Sequence, residues 1–206
     1  LDTEAVKRFC ECISIEELKE WYEELLAKYH KWLSYSLKWK KERNLSLSSL
    51  EFPFQYRDGQ RKMVGSVYHS ICSKKQIFIQ APTGVGKTMS TIFPAVRAVG
   101  EGKGETLFYL TAKTITRTVA EEAFAVLQEK GMKYKVVTIT AKDKLCFMEE
   151  TKCDPVYCPY AKGHFDRVND AVYELWTSGH TYDRQAIWEQ AQKWQVCPFE
   201  MCLDLA

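Results

Sequence analysis

The chain has 206 residues, 46% hydrophobic, 27% charged and 13% aromatic, a globular rather than a disordered composition. No apolar run approaches the roughly 20 residues needed to cross a bilayer. The start at Leu1 shows no basic-then-apolar leader, so transmembrane, secreted and fibrous classes are set aside and a cytoplasmic protein is expected. The formal charge of +2 is unevenly spread. It is zero over residues 1–50, +6 over 51–140 (13 Lys and Arg against 7 Asp and Glu) and −4 over 141–206 (7 against 11), so a polyanion should meet the middle segment first.

Residues 14 to about 43 read as one long helix. Ser14 and Glu17 form an S-x-x-E capping box, and Ile15, Leu18, Trp21, Leu25, Tyr29 and Trp32 recur at helical spacing. The first half is acidic and the second basic, in line with the helix dipole. The spacing predicts a packing or interdomain helix with its apolar face on a core, ended by a linker at Ser46–Ser49. Residues 1–50 are therefore taken as a helical connector.

From residue 56 the pattern alternates. Arg57–Ile71 is predicted helical, with Met63, Val64, Val67, Tyr68 and Ile71 on one side. Gln76–Gln80 (QIFIQ) reads as a short buried strand, followed by a Gly-rich turn and a helix to about Val99. Thr106–Leu110 (TLFYL) is a second predicted strand, Arg117–Glu129 a helix, and Lys135–Thr140 (KVVTIT) a third strand. Strand, helix, strand, helix, strand predicts an α/β domain over 51–140, with a parallel sheet and right-handed crossovers. The rhythm stops after Thr140. Residues 141–206 show two helical patterns, near 164–177 and 183–194, and no strand signal.

The turn after QIFIQ is Ala81-Pro82-Thr83-Gly84-Val85-Gly86-Lys87-Thr88. Strand, GxGKT and helix together are the context of a phosphate-binding P-loop. Gly84 and Gly86 let the backbone curl so that N–H groups, with those of Thr83 and Val85, face phosphate oxygens, and the helix N-terminus adds partial positive charge. Lys87 would reach the β/γ-phosphates of ATP and Thr88 would supply a hydroxyl to Mg²⁺. Upstream, Gln60 has an amide suited to both the donor and the acceptor edge of adenine, although a solvated helical glutamine would look the same. Thr111, Lys113 and Thr114, at a strand end opening a helix, suit a nucleic-acid backbone or simply a solvated helix start.

Of eight cysteines, Cys10, Cys12, Cys72 and Cys202 are scattered and read as buried free thiols. Cys146, Cys153, Cys158 and Cys197 share one irregular acidic stretch, and a reducing compartment favours metal over disulfides there. The spacing x6, x4, x38 lacks the paired knuckles of structural zinc and is compatible with an iron–sulfur cubane, with zinc or unliganded thiols as the alternatives. Cys202 is a rival fourth ligand. Phe147, Tyr157, Tyr160 and Phe199 are candidates to wall such a site from solvent.

FPFQYRDGQRKM, APTGVGKT, YLTAKTITR and then four spaced cysteines, in that order over residues 52 to about 204, resemble the start of an iron–sulfur helicase of the XPD/DinG type in superfamily 2. The resemblance implies a partial RecA-like P-loop NTPase lobe with a mainly helical [4Fe–4S] cluster insertion at 141–206. It implies adenine contact by Gln60, ATP contact by Gly84, Gly86, Lys87 and Thr88, and contact with single-stranded DNA by Thr111, Lys113 and Thr114. Cys146, Cys153, Cys158 and Cys197 would hold the cluster. It also implies 5′→3′ translocation on single-stranded DNA, action on forked duplexes, a role in DNA repair and a monomeric enzyme, with residues 1–50 similar to a helix that follows a nuclease-like domain in some bacterial members. Such proteins carry a DEAH box and a second RecA-like lobe. No Asp-Glu dipeptide occurs here, so no catalytic residue is assigned and the chain is expected to be a piece that binds ATP weakly. The competing readings are a P-loop kinase-like enzyme with structural zinc and a non-catalytic nucleic-acid-binding module.

Overall fold

The computed structural model describes residues 10–112 and 114–206. They divide into two compact units, one ending at Lys40 and one running from Lys41 to Ala206. Helix α1 (Ile15–Ser48) supplies the first. Its start is the expected capping box: the Glu17 N–H donates to Ser14 Oγ at 3.1 Å and the Ser14 N–H donates to Glu17 Oε2 at 2.8 Å. The apolar stripe of this helix is not core-facing. Ile15, Leu18, Trp21, Leu25 and Tyr29 are all exposed, because no second element of that unit stands against them among the described residues.

The end of α1 belongs to the second unit and is not a linker. Leu47 and Leu50 are buried, and Ser46 Oγ donates to the Arg43 carbonyl (2.8 Å) while accepting the Lys133 N–H (3.0 Å). Helix α2 (Gln60–Cys72) packs on α3 (Lys87–Gly100), and α3 packs on α4 (Thr114–Glu129). The central helix α3 is the most deeply buried, which its sequence IFPAVRAV foreshadows. Leu47, Leu50, Val64, Ile92, Phe93, Val96, Val99, Phe124, Leu127 and Met132 form one apolar cluster around it. Burying each such side chain stabilises the fold by roughly 1.5–3 kcal/mol before chain entropy is subtracted. Gly100 permits the closest approach: a Cβ there would lie 2.5 Å from Leu47 Cβ and 2.7 Å from the Ser48 nitrogen.

The three expected strands are the largest departure. Residues 76–80 and 106–110 are not strands, and of 135–140 only β1 (Val136–Val137) forms a ladder. Its partner is β2 (Thr181–Tyr182), parallel, in a region where no strand is expected from sequence, with Val136 opposite Thr181 and Val137 opposite Tyr182. Apolar β-branched and aromatic runs report a tendency to be buried, whereas a strand also needs a hydrogen-bonding neighbour. Neither QIFIQ nor TLFYL has one among the described residues, and Phe78 and Leu110 are 94% and 88% exposed.

The β1–β2 pair joins the middle of the chain to its last third. Lys135 Nζ donates to the carbonyls of Trp176 and Gly179 (3.0 Å for Gly179) and to Tyr182 Oη (2.8 Å), and lies 4.6 Å from the Trp176 ring centre. Burial lowers the Lys135 ammonium to about 8. After the single turn α5 (Lys142–Leu145), helices α6 (His164–Ser178), α7 (Arg184–Trp194) and α8 (Pro198–Leu205) pack on one another around Leu145, Ile187, Val196 and Met201. The chain is thus helix-dominated with a two-stranded parallel sheet. No helix among the described residues is long and apolar enough to cross a membrane.

Candidate functional site

The P-loop is a tight loop running into a helix N-terminus. Gly84 and Gly86 take φ of +87° and +77°, a region that costs L-residues with a Cβ about 1–2 kcal/mol. Gly86 is the residue before α3, so Lys87 and Thr88 occupy the first turn, where unpaired backbone N–H groups and the helix dipole favour anions. Lys87 Nζ donates to the carbonyls of Ala81 (2.8 Å) and Pro82 (2.9 Å), so the ammonium spans the mouth of its own loop. A triphosphate entering the loop would exchange these two neutral acceptors for charged oxygens, a stronger hydrogen-bonding set. Thr83 is exposed, and Val85 and Thr88 are half-buried at the same loop.

Gln60 is drawn against this loop. It opens α2, is 4% exposed, and its Oε1 accepts the Arg57 N–H at 3.0 Å. A Cβ on Gly86 would meet Gln60 Nε2 at 2.5 Å, so the amide lies directly on the glycine. Arg57 Nη1 donates to the Gly84 carbonyl. Arg57 is a member of the site not singled out from sequence; its position three residues before Gln60 was the available signal. Phe52 stacks on Tyr56 (4.3 Å, 12° between planes) and meets the core residue Phe93 edge-on at 5.3 Å, fixing the segment that carries Arg57.

Of the expected DNA contacts, Thr111 is exposed at the end of the 106–110 segment, Thr114 is the first residue of α4, and Lys113 lies outside the described residues.

The four acidic-stretch cysteines line one cavity of about 220 Å³ with Lys142, Phe147, Lys152, Tyr160, His164, Phe199 and Glu200 among its walls. Each comes from a different local device. Cys146 ends α5 with its N–H on the Lys142 carbonyl (2.9 Å). Cys153 precedes an Asx turn in which the Val156 N–H donates to Asp154 Oδ1 (2.7 Å), and Cys158 closes that turn through Asp154 O (2.7 Å). Cys197 is the N-cap of α8, before Pro198, and is placed by Arg167, whose guanidinium donates to the carbonyls of Trp194 (3.0 Å) and Gln195 (2.6 Å).

Charge at the cavity is mixed. The Cys153 thiol beside Lys142, followed by Glu200 and Cys197, raises the Lys142 ammonium above its ordinary range. Burial pushes the Cys197 thiol up, against the backbone N–H groups of Glu200 and Phe199, which pull it down. Burial likewise raises Cys202, but Cys202 does not line the cavity: its Sγ donates to the Thr138 carbonyl at 3.9 Å. Tyr157 also stands outside the lining, under Lys152. The scattered thiols are not uniformly buried: Cys202 is, whereas Cys10 and Cys12 are exposed and Cys72 is half-buried. Among the described residues no three His, Cys, Asp or Glu side chains converge closely enough to hold a single metal ion.

A curled glycine loop at a helix N-terminus, a lysine over its mouth and a buried amide beside it define a nucleotide-binding P-loop domain. Residues 57–160, half of the chain, match the model of the DEAD/DEAH box helicase family, and the chain belongs to that family. The chain is 26% identical over 123 residues to a protein of Methanocaldococcus jannaschii named a probable ATP-dependent helicase; the match covers 58% of this chain and 18% of that relative. The chain therefore spans less than a fifth of the length of the curated relative it matches. No solved structure matches.

Proposed function

We propose that this chain is the ATP-binding part of an iron–sulfur DNA helicase of the XPD/DinG type, with residues 51–140 as the RecA-like segment, 141–206 as the cluster domain and 1–50 as a connector. The observation that carries this reading is that Cys146, Cys153, Cys158 and Cys197, spread over 52 positions, line one cavity while the rival Cys202 turns away. Four sulfurs lining one cavity are the donor set of a [4Fe–4S] cluster, and the irregular spacing of these cysteines lacks the paired knuckles of structural zinc.

When bound, the cluster would tie three loops of a small helical domain together through metal–sulfur bonds and contribute folding free energy. The chain's own residues do the rest. Lys87 leaves the carbonyls of Ala81 and Pro82 for the β/γ-phosphates, Thr88 offers its hydroxyl to Mg²⁺, and Gln60 presents its amide to adenine. Thr111, Lys113 and Thr114 are the residues assigned to contact the backbone of single-stranded DNA, in the part of the sequence with charge +6. In the whole protein, ATP-driven closure of two lobes would move the enzyme 5′→3′ along one strand and open forks.

Binding assays with a non-hydrolysable ATP analogue and labelled single strands test the reading. The chain should bind both, each tightening the other's binding. Lys87→Ala should weaken the analogue at least tenfold, through loss of a charge-assisted contact. DNA affinity indifferent to the analogue and to Lys87→Ala would replace a helicase with a passive nucleic-acid binder. The absence of an Asp-Glu pair predicts no sustained turnover by these 206 residues.

A further inference from the structure

His164 has a role that the cysteines alone leave unexplained. It opens α6, lines the four-cysteine cavity and is 4% exposed. Its Nδ1 accepts the Cys197 N–H at 3.2 Å. A ring nitrogen that accepts carries no proton, so the neutral imidazole bears its proton on Nε2. Nε2 is buried and has no hydrogen-bond partner among the described residues. An unpaired buried donor costs about 1–3 kcal/mol, and native folds rarely keep one without a partner that satisfies it. The ring cannot turn away to find one, because Cys197 holds one nitrogen and Phe165 stands edge-on at 5.2 Å.

We infer that His164 donates its Nε2–H to sulfur of the group held in this cavity, a cluster sulfide or a ligating thiolate. The inference rests on the iron–sulfur reading above. One ring then serves two ends: Nδ1 sets the backbone of a ligand, and Nε2–H withdraws charge from the sulfur. His164 is a positioning residue whose effect is on the electronics of the cluster. Hydrogen bonds to cluster sulfur stabilise the more negative, reduced state and raise its potential. The cation Lys142 stands beside the Cys153 thiol, with Glu200 at 3.9 Å and the Phe199 ring at 5.4 Å, and is the same in every chain compared below, so it does not account for a difference between them.

The test compares the 206-residue chain, purified without oxygen, with His164→Asn and His164→Gln. Asn keeps an acceptor near the Nδ1 position and has no donor at Nε2; Gln places an amide N–H near Nε2. Iron and acid-labile sulfide are measured first, then the midpoint potential by spectroscopic redox titration. The expected result is unchanged iron and sulfide in all three, a more negative potential in His164→Asn, and a potential restored toward that of the unaltered chain in His164→Gln. Iron intact with the Asn potential unmoved overturns the inference and leaves the cluster standing. Iron lost in His164→Asn makes His164 a ligand, which also overturns it. No iron in the unaltered chain removes the cluster reading itself, and this inference with it. A readout needing no variant is pulsed EPR of the reduced chain labelled with ¹⁵N-histidine. A weak histidine ¹⁵N coupling is expected; none, or one of directly ligated strength, overturns the donor role.

Discussion

Replacing Gly86 by alanine probes the contact that joins the adenine-side glutamine to the phosphate loop. The new Cβ meets Gln60 Nε2 at 2.5 Å, well inside van der Waals contact, at a residue whose φ is +77°. The backbone term alone is about 1–2 kcal/mol, because the left-handed region brings Cβ against the neighbouring carbonyl. The Gln60 amide can swing aside, but it is buried and its Oε1 holds the Arg57 N–H at 3.0 Å, so moving it forfeits a bond of about 1 kcal/mol. The sum is a loss of about 2–3 kcal/mol, read as a shift in the urea midpoint. In a Gln60→Ala background the same Gly86→Ala change should cost only the backbone term. The double-mutant cycle therefore predicts a coupling of about 1 kcal/mol. Strictly additive effects would refute a direct Gln60–Gly86 contact.

Gly100→Ala and Gly65→Ala should move stability in opposite directions. Both sit in helices, where alanine is favoured over glycine by about 1 kcal/mol. Gly65 has open space around it and should gain that amount on urea denaturation, whereas Gly100 abuts the Leu47 and Ser48 backbone and should lose about 1–3 kcal/mol to overpacking. Lys135→Met should destabilise the chain by about 1–3 kcal/mol, because it removes the ammonium's hydrogen bonds to the Trp176 and Gly179 carbonyls and to Tyr182 Oη and leaves the single Tyr182 hydroxyl proton to serve both carbonyls. Burial lowers Lys135 to about 8, so above that pH the folded chain releases a proton that the unfolded chain keeps until near 10.5. The stability of the unaltered chain relative to Lys135→Met should hence rise between about pH 8 and 10 in paired denaturation curves, and a falling difference would contradict the burial argument.

The helices were the most legible part of the sequence, because each announces itself locally. Ser14 and Glu17 mark a start by their own side chains, and the spacings of Met63, Val64 and Val67 and of the 164–177 and 183–194 patterns lie close to α2, α6 and α7. The strands were not, since a ladder belongs to two segments at once. Val136–Val137 finds Thr181–Tyr182 across 43 intervening residues, and nothing in the dipeptide Thr-Tyr signals it. Nor does composition distinguish Leu47 and Leu50, buried under α3, from the serine run that reads as a linker. At the site, the P-loop and the four cavity cysteines were legible as motifs, because spacing and residue type carry them. The Arg57 and His164 side chains join their sites through hydrogen bonds to distant backbone groups, to the Gly84 carbonyl and from the Cys197 N–H, and contacts of that kind leave no periodic trace.

Metal and sulfide analysis of the oxygen-free, purified 206-residue chain tests the central claim most directly. The account predicts roughly four iron and four acid-labile sulfide per chain. Both should fall together with cluster absorbance in Cys197→Ser and remain in Cys202→Ser. Zinc in place of iron, no bound metal, or iron lost equally from both variants would contradict it.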